Sequence, residues 1–168
     1  MPQTTPGFTS QARSRERLLR QLEAAWRDFQ SSYAGRTGRT LLRPGVTGRW
    51  SVRDIIAHVT TWEEECLKHL PVVLAGGRQP RYADLYGGID AFNALTTARH
   101  AALSLPQVLA RQRRVHRRLL RYIAAAPDAA VAEPRFRRRL RLDTYGHYPV
   151  HAAAMRAHFA ALRPRAGN

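Results

Sequence analysis

Cysteine, lysine, acidic residues and long apolar runs are what this 168-residue chain has little of. The single cysteine, Cys66, excludes an intramolecular disulfide framework and fits a reducing compartment. No apolar run approaches the roughly 20 residues that a membrane-crossing helix needs, so no membrane partner is expected. The opening, MPQTTPGFTSQARSRERLL, has no positive start followed by an apolar stretch. A secretory leader is therefore not expected, and a cytoplasmic location is. Period-two alternation and internal repeats are also missing, which argues against sheets and solenoids. So is the short glycine turn between two small helices that a helix-turn-helix DNA reader needs.

What the chain has in excess is arginine. Lys68 is the only lysine among 28 basic residues, against 12 acidic ones, for a net charge of +16. A GC-rich genome explains the missing lysines but not the surplus charge. Two readings compete: a polyanion-binding surface that contacts phosphates, or a solvated face that keeps the protein soluble. Arg111, Arg114, Arg118 and Arg121 step at helical intervals into a ridge, and Arg135, Arg137, Arg138, Arg139 and Arg141 form a second cluster. No aromatic residues alternate with the ridge to stack bases, so the solvated face is favoured and nucleic acid is the lesser alternative.

With 44% hydrophobic and 24% charged residues the composition is that of an ordinary globular domain. One domain is expected over residues 10–162, with flexible termini at 1–9 and 163–168. Leu18, Leu19, Leu22, Trp26, Phe29 and Tyr33 make one apolar stripe, predicting a helix from about Ser10 to Tyr33 with Thr9 or Ser10 as its cap. SVRD, from Ser51, has the form of a capping box and opens a second helix that buries Ile55, Ile56, Val59, Trp62, Cys66 and Leu70. Pro71 should end or kink it. A third helix starts near Ile89 and is broken at SLPQ, where Ser104 can cap a new piece reaching about Ala126. AGRTGRTLLRPGVTGRW, AGGRQPRYADLYGG and PDAAVAEPRFRRRLRLD read as connections. A fourth helix begins near Asp143 or Thr144 and ends before Pro164. The expected fold class is all-α, a helical bundle.

Three histidines fall within TYGHYPVHAAAMRAHF, residues 144–159. His147 and His151 are one helical turn apart, the spacing by which one helix offers two imidazoles to one metal ion. A third ligand must come from elsewhere. His58, on the apolar side of the second helix between Ile55 and Trp62, is the candidate; its plainer reading is a hydrogen-bonded core residue. Three ligands to one ion should bring their nitrogens within roughly 4 Å of one another. His158 reads as half-buried or solvated, and His69, His100 and His116 as surface. Glu65, two turns beyond His58, is the candidate catalytic residue, a general base or an acceptor behind a ligand; within EEE it also reads as a plain surface charge. Asp54 is explained by capping, Tyr145 and Tyr148 by packing, and Cys66 by the core. Trp50, placed to staple the cap, and Trp62 should be largely buried.

GRWSVRDIIAHVTTWEEE resembles the second-helix motif of the DinB-like superfamily, and DTYGHYPVHAAAMRAHF its fourth-helix motif. YGGIDAFNALTTARHAALSLPQVLARQRRVHRRLL is similar to the third-helix region of the same proteins, and the ClbS/DfsB-type branch is the nearest in pattern. The maleylpyruvate isomerase N-terminal domains are a related group. The resemblance spans roughly residues 10–162. It implies an up-down-down-up four-helix bundle with a three-histidine site for Zn²⁺, Ni²⁺ or a similar ion, whose ligands here would be His58, His147 and His151. Some ClbS-like members lack that triad and work without metal. It further implies an enzyme, a thiol-dependent transferase or a hydrolase of the detoxification or stress-response kind. Such an enzyme activates a thiol or water against an electrophilic small molecule, with mycothiol or bacillithiol as the type of low-molecular-weight thiol co-substrate. The rival reading is a non-enzymatic protection protein that sequesters a genotoxin or binds nucleic acid through its arginines. A homodimer is compatible with either.

Overall fold

The computed structural model describes the backbone of residues 6–162 and the side chains of residues 13–162. Residues 1–5 and 163–168, at the ends where flexible termini are expected, lie outside the described residues. Among the described residues every regular element is a helix, and β-type pairing is limited to one bridge between Thr47 and Trp50. The protein is all-α. In chain order the helices are α1 (Pro6–Ser31), α2 (Gly38–Leu42), α3 (Val52–Leu74), α4 (Tyr82–Tyr86), α5 (Ile89–His100), α6 (Leu105–Ala125), α7 (Asp128–Ala132), α8 (Pro134–Asp143) and α9 (Tyr148–Ala161). No helix among them is long and apolar enough to cross a membrane.

Helix α3 is the hub. It packs on α2, α5, α6, α8 and α9, while α1 closes the other side against α6, α7 and α9. The reason is in its sequence: Val52, Ile55, Ile56, Val59, Cys66 and Leu70 are buried around more than one face. From the flanks come Leu22 and Phe29 of α1, Leu119 and Ile123 of α6, and Met155 and Phe159 of α9. Each such side chain contributes about 1.5–3 kcal/mol when fully buried. At the start of α3 the capping box forms as expected. The Ser51 hydroxyl oxygen accepts from the Asp54 N–H, and the Asp54 carboxylate accepts from the Ser51 N–H at 2.9 Å. Ser104 and Gln107 form a second box at α6.

Several boundaries differ from the sequence expectation. Helix α1 already starts at Pro6, so Thr9 and Ser10 lie inside it rather than capping it. Pro71 does not end α3, which continues to Leu74; the proline sits in the last turn, where the Ala75 N–H still reaches the Pro71 carbonyl at 3.0 Å. The connections after Tyr33 and after Ala75 contain the short helices α2 and α4.

The largest correction concerns PDAAVAEPRFRRRLRLD, expected as loop and found as α7 and α8. Its many arginines hide a short apolar stripe. Val131, Phe136 and Leu140 are all buried, the last two one turn apart. Pro134 opens α8 at a position where its missing N–H has no cost. The Glu133 carboxylate caps that helix by accepting from the Arg135 N–H at 3.3 Å.

Two expected arginine ridges are also thinner than their spacing implies. Arg111 is buried: it donates to the Ala57 carbonyl, to Thr61 Oγ1 and to the Glu64 carboxylate, the last at 2.5 Å. Arg139 is buried as well, against Asp143 and Gln79. Arg114, Arg118 and Arg121 remain exposed.

If α8 is core rather than loop, Phe136→Ala should destabilise the protein by about 3–5 kcal/mol, as large-to-small core changes do. Urea denaturation reads this out. A loss below roughly 0.5 kcal/mol, typical of a loop side chain, would contradict the packing described here.

Candidate metal centre

Three elements deliver the three histidines. His58 sits on α3 one turn after Asp54, in the stretch fixed by the capping box, and is buried. Trp50, half-buried just before the cap, covers its imidazole with ring centroids 4.8 Å apart. Trp62, one turn later on α3, is buried and donates its indole N–H to Asn93 Oδ1 of α5 at 3.2 Å. His151 lies in the first turns of α9.

His147 is not within that helix but is its N-terminal boundary residue, held by the turn between α8 and α9. In this turn the Gly146 N–H donates to the Arg141 carbonyl at 2.9 Å. The N–H groups of His147 and Tyr148 both reach the Thr144 carbonyl, at 2.7 and 2.9 Å. A Cβ on residue 146 would stand 2.8 Å from the Arg141 carbonyl oxygen, so the turn closes this tightly only with glycine.

The imidazoles converge. His147 Nε2 is 3.2 Å from His58 Nε2 and 2.8 Å from His151 Nε2, and one ligand atom from each residue lies within 4.8 Å of the others. Three nitrogens around an ion at 2.0–2.1 Å would be roughly 3.3 Å apart in tetrahedral geometry, so the spacing suits such an ion. The donor set suits it too, because neutral imidazole is a ligand for Zn²⁺, Ni²⁺ and Cu²⁺. Burial first, then the neighbouring imidazoles, push the His58 pKa down to about 2. Burial and His151 lower His147 to about 3, and burial alone lowers His151 to about 4. All three rings are thus uncharged at neutral pH, as ligation requires.

Beside the triad is a cavity of about 360 Å³, lined among others by His58, Trp62, Tyr82, Asn93, Asp143 and His147. Asp143 was not singled out in the sequence except as a helix boundary. Burial raises its carboxyl to about 7 despite Arg139 Nε only 2.5 Å away. Glu65 does not line this cavity. Its carboxylate accepts from the Tyr82 hydroxyl at 2.6 Å and lies 3.1 Å from His69 Nε2, and Tyr82 is the residue that reaches the cavity. Burial pushes the Glu65 pKa up, but the Tyr82 hydrogen bond, Lys68 and His69 outweigh it, and the net shift is downward.

Two histidines expected on the surface are buried, His69 and His116. The physical reason is pairing: His69 meets Glu65, and His116 Nδ1 is 2.8 Å from Glu63 Oε1. Glu63, fully buried, also accepts from the Tyr148 hydroxyl, and Trp26 stacks on His116 at 3.8 Å between centroids. The EEE run read as surface charge because nothing in it shows which glutamate meets a histidine 53 residues later. His158 is half-buried, as expected, and Cys66 is core.

Helices throughout, with three imidazoles gathered at the edge of a cavity, define an all-α protein with a candidate three-histidine metal centre. Residues 21–161 match the family model of the DinB superfamily, and the chain belongs to that superfamily. Neither a curated protein nor a solved structure matches the chain.

Two outcomes follow from this geometry. Gly146→Ala should push the turn away from Arg141, displace His147 and weaken Zn²⁺ binding by about ten-fold or more, in the range seen when support behind a ligand is lost. Competition with a chromophoric chelator measures it, and an unchanged affinity would refute the role of the turn. The second concerns Glu63, whose pKa burial raises above 4.5 against the pull of His116 and Tyr148. A group with a raised folded pKa adds stability that is present at low pH and lost as pH rises through the folded value. Relative to Glu63→Gln, the wild type should therefore lose stability steadily from pH about 4.5 upward. Urea midpoints of the two proteins that run parallel across that range would show that Glu63 is not raised.

Proposed function

We propose that this protein is a metal-dependent enzyme that activates a thiol or water against an electrophilic small molecule. His58, His147 and His151 hold the ion. The observation that carries the reading is the convergence of three uncharged imidazoles beside a cavity of about 360 Å³. Membership of a superfamily that includes metal-binding proteins supports it. The pattern likeness to the ClbS/DfsB-type branch supports the electrophilic substrate, not the metal, since some members of that branch work without one. A divalent ion in such a site lowers the pKa of a bound thiol or water and leaves positions open for it.

The chain's own residues supply the rest. Trp50 and Trp62 flank His58 and restrict water around it. Asp143, with a pKa near neutrality and on the cavity wall, can take a proton from an incoming nucleophile and return it to a leaving group. Glu65 acts one step back. It anchors the Tyr82 hydroxyl, and so sets where the Tyr82 ring stands in the cavity wall. Asn93 fixes Trp62 in the same way.

Elemental analysis of protein purified without a histidine tag tests the reading. About one equivalent of Zn or Ni per chain is expected in the wild type, falling to a small fraction in His58→Ala with helix content preserved. Metal-free wild type that also fails to take up Zn²⁺ or Ni²⁺ in a titration would overturn it. DNA binding by such protein that weakens steeply with salt would favour the protection-protein reading instead.

A further inference from the structure

The triad cavity does not end at the histidines. A second cavity of about 390 Å³ shares Gln79, Arg139 and Leu142 with it, so the two adjoin across these side chains. The second cavity is walled by Arg78, Arg135, Arg138 and Arg139, and no acidic residue lines it. Among the described residues no ion pair engages Arg78 or Arg138, and both are exposed. Arg135 is held in place by donating to the Gly77 carbonyl at 2.6 Å, and Arg139 by donating to Gln79 Oε1 at 2.6 Å. Helix α8 thus presents three arginines, and the segment after α3 a fourth, around one concave space.

We infer that this arginine-walled cleft binds the anionic end, a carboxylate or a phosphate, of a small molecule whose other end lies in the triad cavity. This names the substrate or co-substrate class for the enzyme proposed above, and it rests on that reading for what happens at the reactive end. Guanidinium groups are the side chains best suited to such oxygens, through paired charge-assisted hydrogen bonds. Arg139 is paired with Asp143, but Arg78, Arg135 and Arg138 have no ion-pair partner among the described residues, and the positive potential they leave is one that an anion relieves. The body of the ligand is apolar or aromatic. Between the two ends stand Trp62, Tyr82, Ile89 and Leu142, and the last two are exposed in the free protein at 55% and 60%. A concave site of this size suits a small molecule, whereas a duplex is met by a broad convex or grooved basic face. The arginines of the α6 ridge, Arg114, Arg118 and Arg121, do not line either cavity.

The test uses phenyl phosphate, its neutral counterpart phenol, and a short DNA duplex as probes, by isothermal titration calorimetry. The full chain is titrated as purified and after dialysis against a chelator. Wild type should bind phenyl phosphate more tightly than phenol in both states. Arg78→Gln with Arg138→Gln, both at exposed positions that the fold tolerates, should weaken phenyl phosphate at least about ten-fold and leave phenol unmoved. Equal affinity in the double variant overturns the inference, as does a wild type that does not prefer the anion. Binding seen only in metal-loaded protein and insensitive to the arginines would mean that phosphate ligates the ion; that overturns the inference and leaves the metal reading intact. Displacement of phenyl phosphate by the duplex would assign the cleft to nucleic acid and overturn it as well. Metal-free protein that also takes up no Zn²⁺ or Ni²⁺, by contrast, removes the metal reading and leaves this measurement interpretable on its own.

Discussion

The rest of the structure depends on one constraint: α3 is surrounded by other helices and still carries ionisable side chains. Val52 to Val73 holds Glu63 fully buried, with His58 and His69 nearly so. A buried polar group without a partner costs on the order of 1–3 kcal/mol, and a buried lone charge more. His69 meets Glu65 on α3 itself, but the others dictate something about a neighbouring helix. Glu63 requires His116 on α6 and Tyr148 on α9. Thr61 and the Ala57 carbonyl take the guanidinium of Arg111. His58 requires the other two imidazoles, 89 and 93 residues further on. The register of α6 and α9 against α3 is set by these polar matches as much as by the apolar core around them.

The same economy explains what happens to the positive charge. Part of the arginine surplus is internal structure. Arg15 bonds the Ala126 carbonyl and pairs with Asp128, tying α1 to the start of α7. Arg53 reaches the carbonyls of Ala101 and Leu103, tying the start of α3 to the link between α5 and α6. Arg156 joins α9 to Asp28 of α1. Arginine suits these tasks because its planar fork satisfies several acceptors at once. Of what is left after such uses, one group stands on the exposed edge of α6 and another on the concave wall beside the triad cavity.

The site combines a rigid and a less regular part. His58 stands in a capped, fully packed helix. His147 stands at a turn that only a glycine at 146 allows to close. Proximity of the imidazoles thus depends on one helix that does not give and one turn that positions its neighbour. The low pKa values follow from the same packing, because three basic rings held together out of water cannot readily accept protons. Uncharged rings at this spacing could hold a cation, and a cavity adjoins two of them.

The all-α class, the two capping boxes, the break at Ser104 and the stripes of α1, α3 and α6 were legible in the sequence. Each is written in residues three or four apart, and local backbone physics is enough to read it. The three histidines were legible as candidates for a similar reason, since His147 and His151 are one turn apart and His58 lies on an apolar stripe. Helices α7 and α8 were not, because five arginines outnumber Phe136 and Leu140 in that segment and only contact with α3 shows which side is inside. Nor were the burial of His69, His116, Arg111 and Arg139, the neighbourhood of Asp143, or the adjacency of two cavities across Gln79, Arg139 and Leu142. Those depend on partners 50 or more residues away in most cases, and a side chain's charge or burial follows from what faces it. By itself the sequence determined the long helices whose stripe or cap is local, and which histidines are candidates to bind a cation. The tertiary structure alone decided which of the ionisable groups are paired, which are left over, and that three of the leftover arginines line a cavity next to that of the histidines, because pairing and desolvation are properties of distance in space.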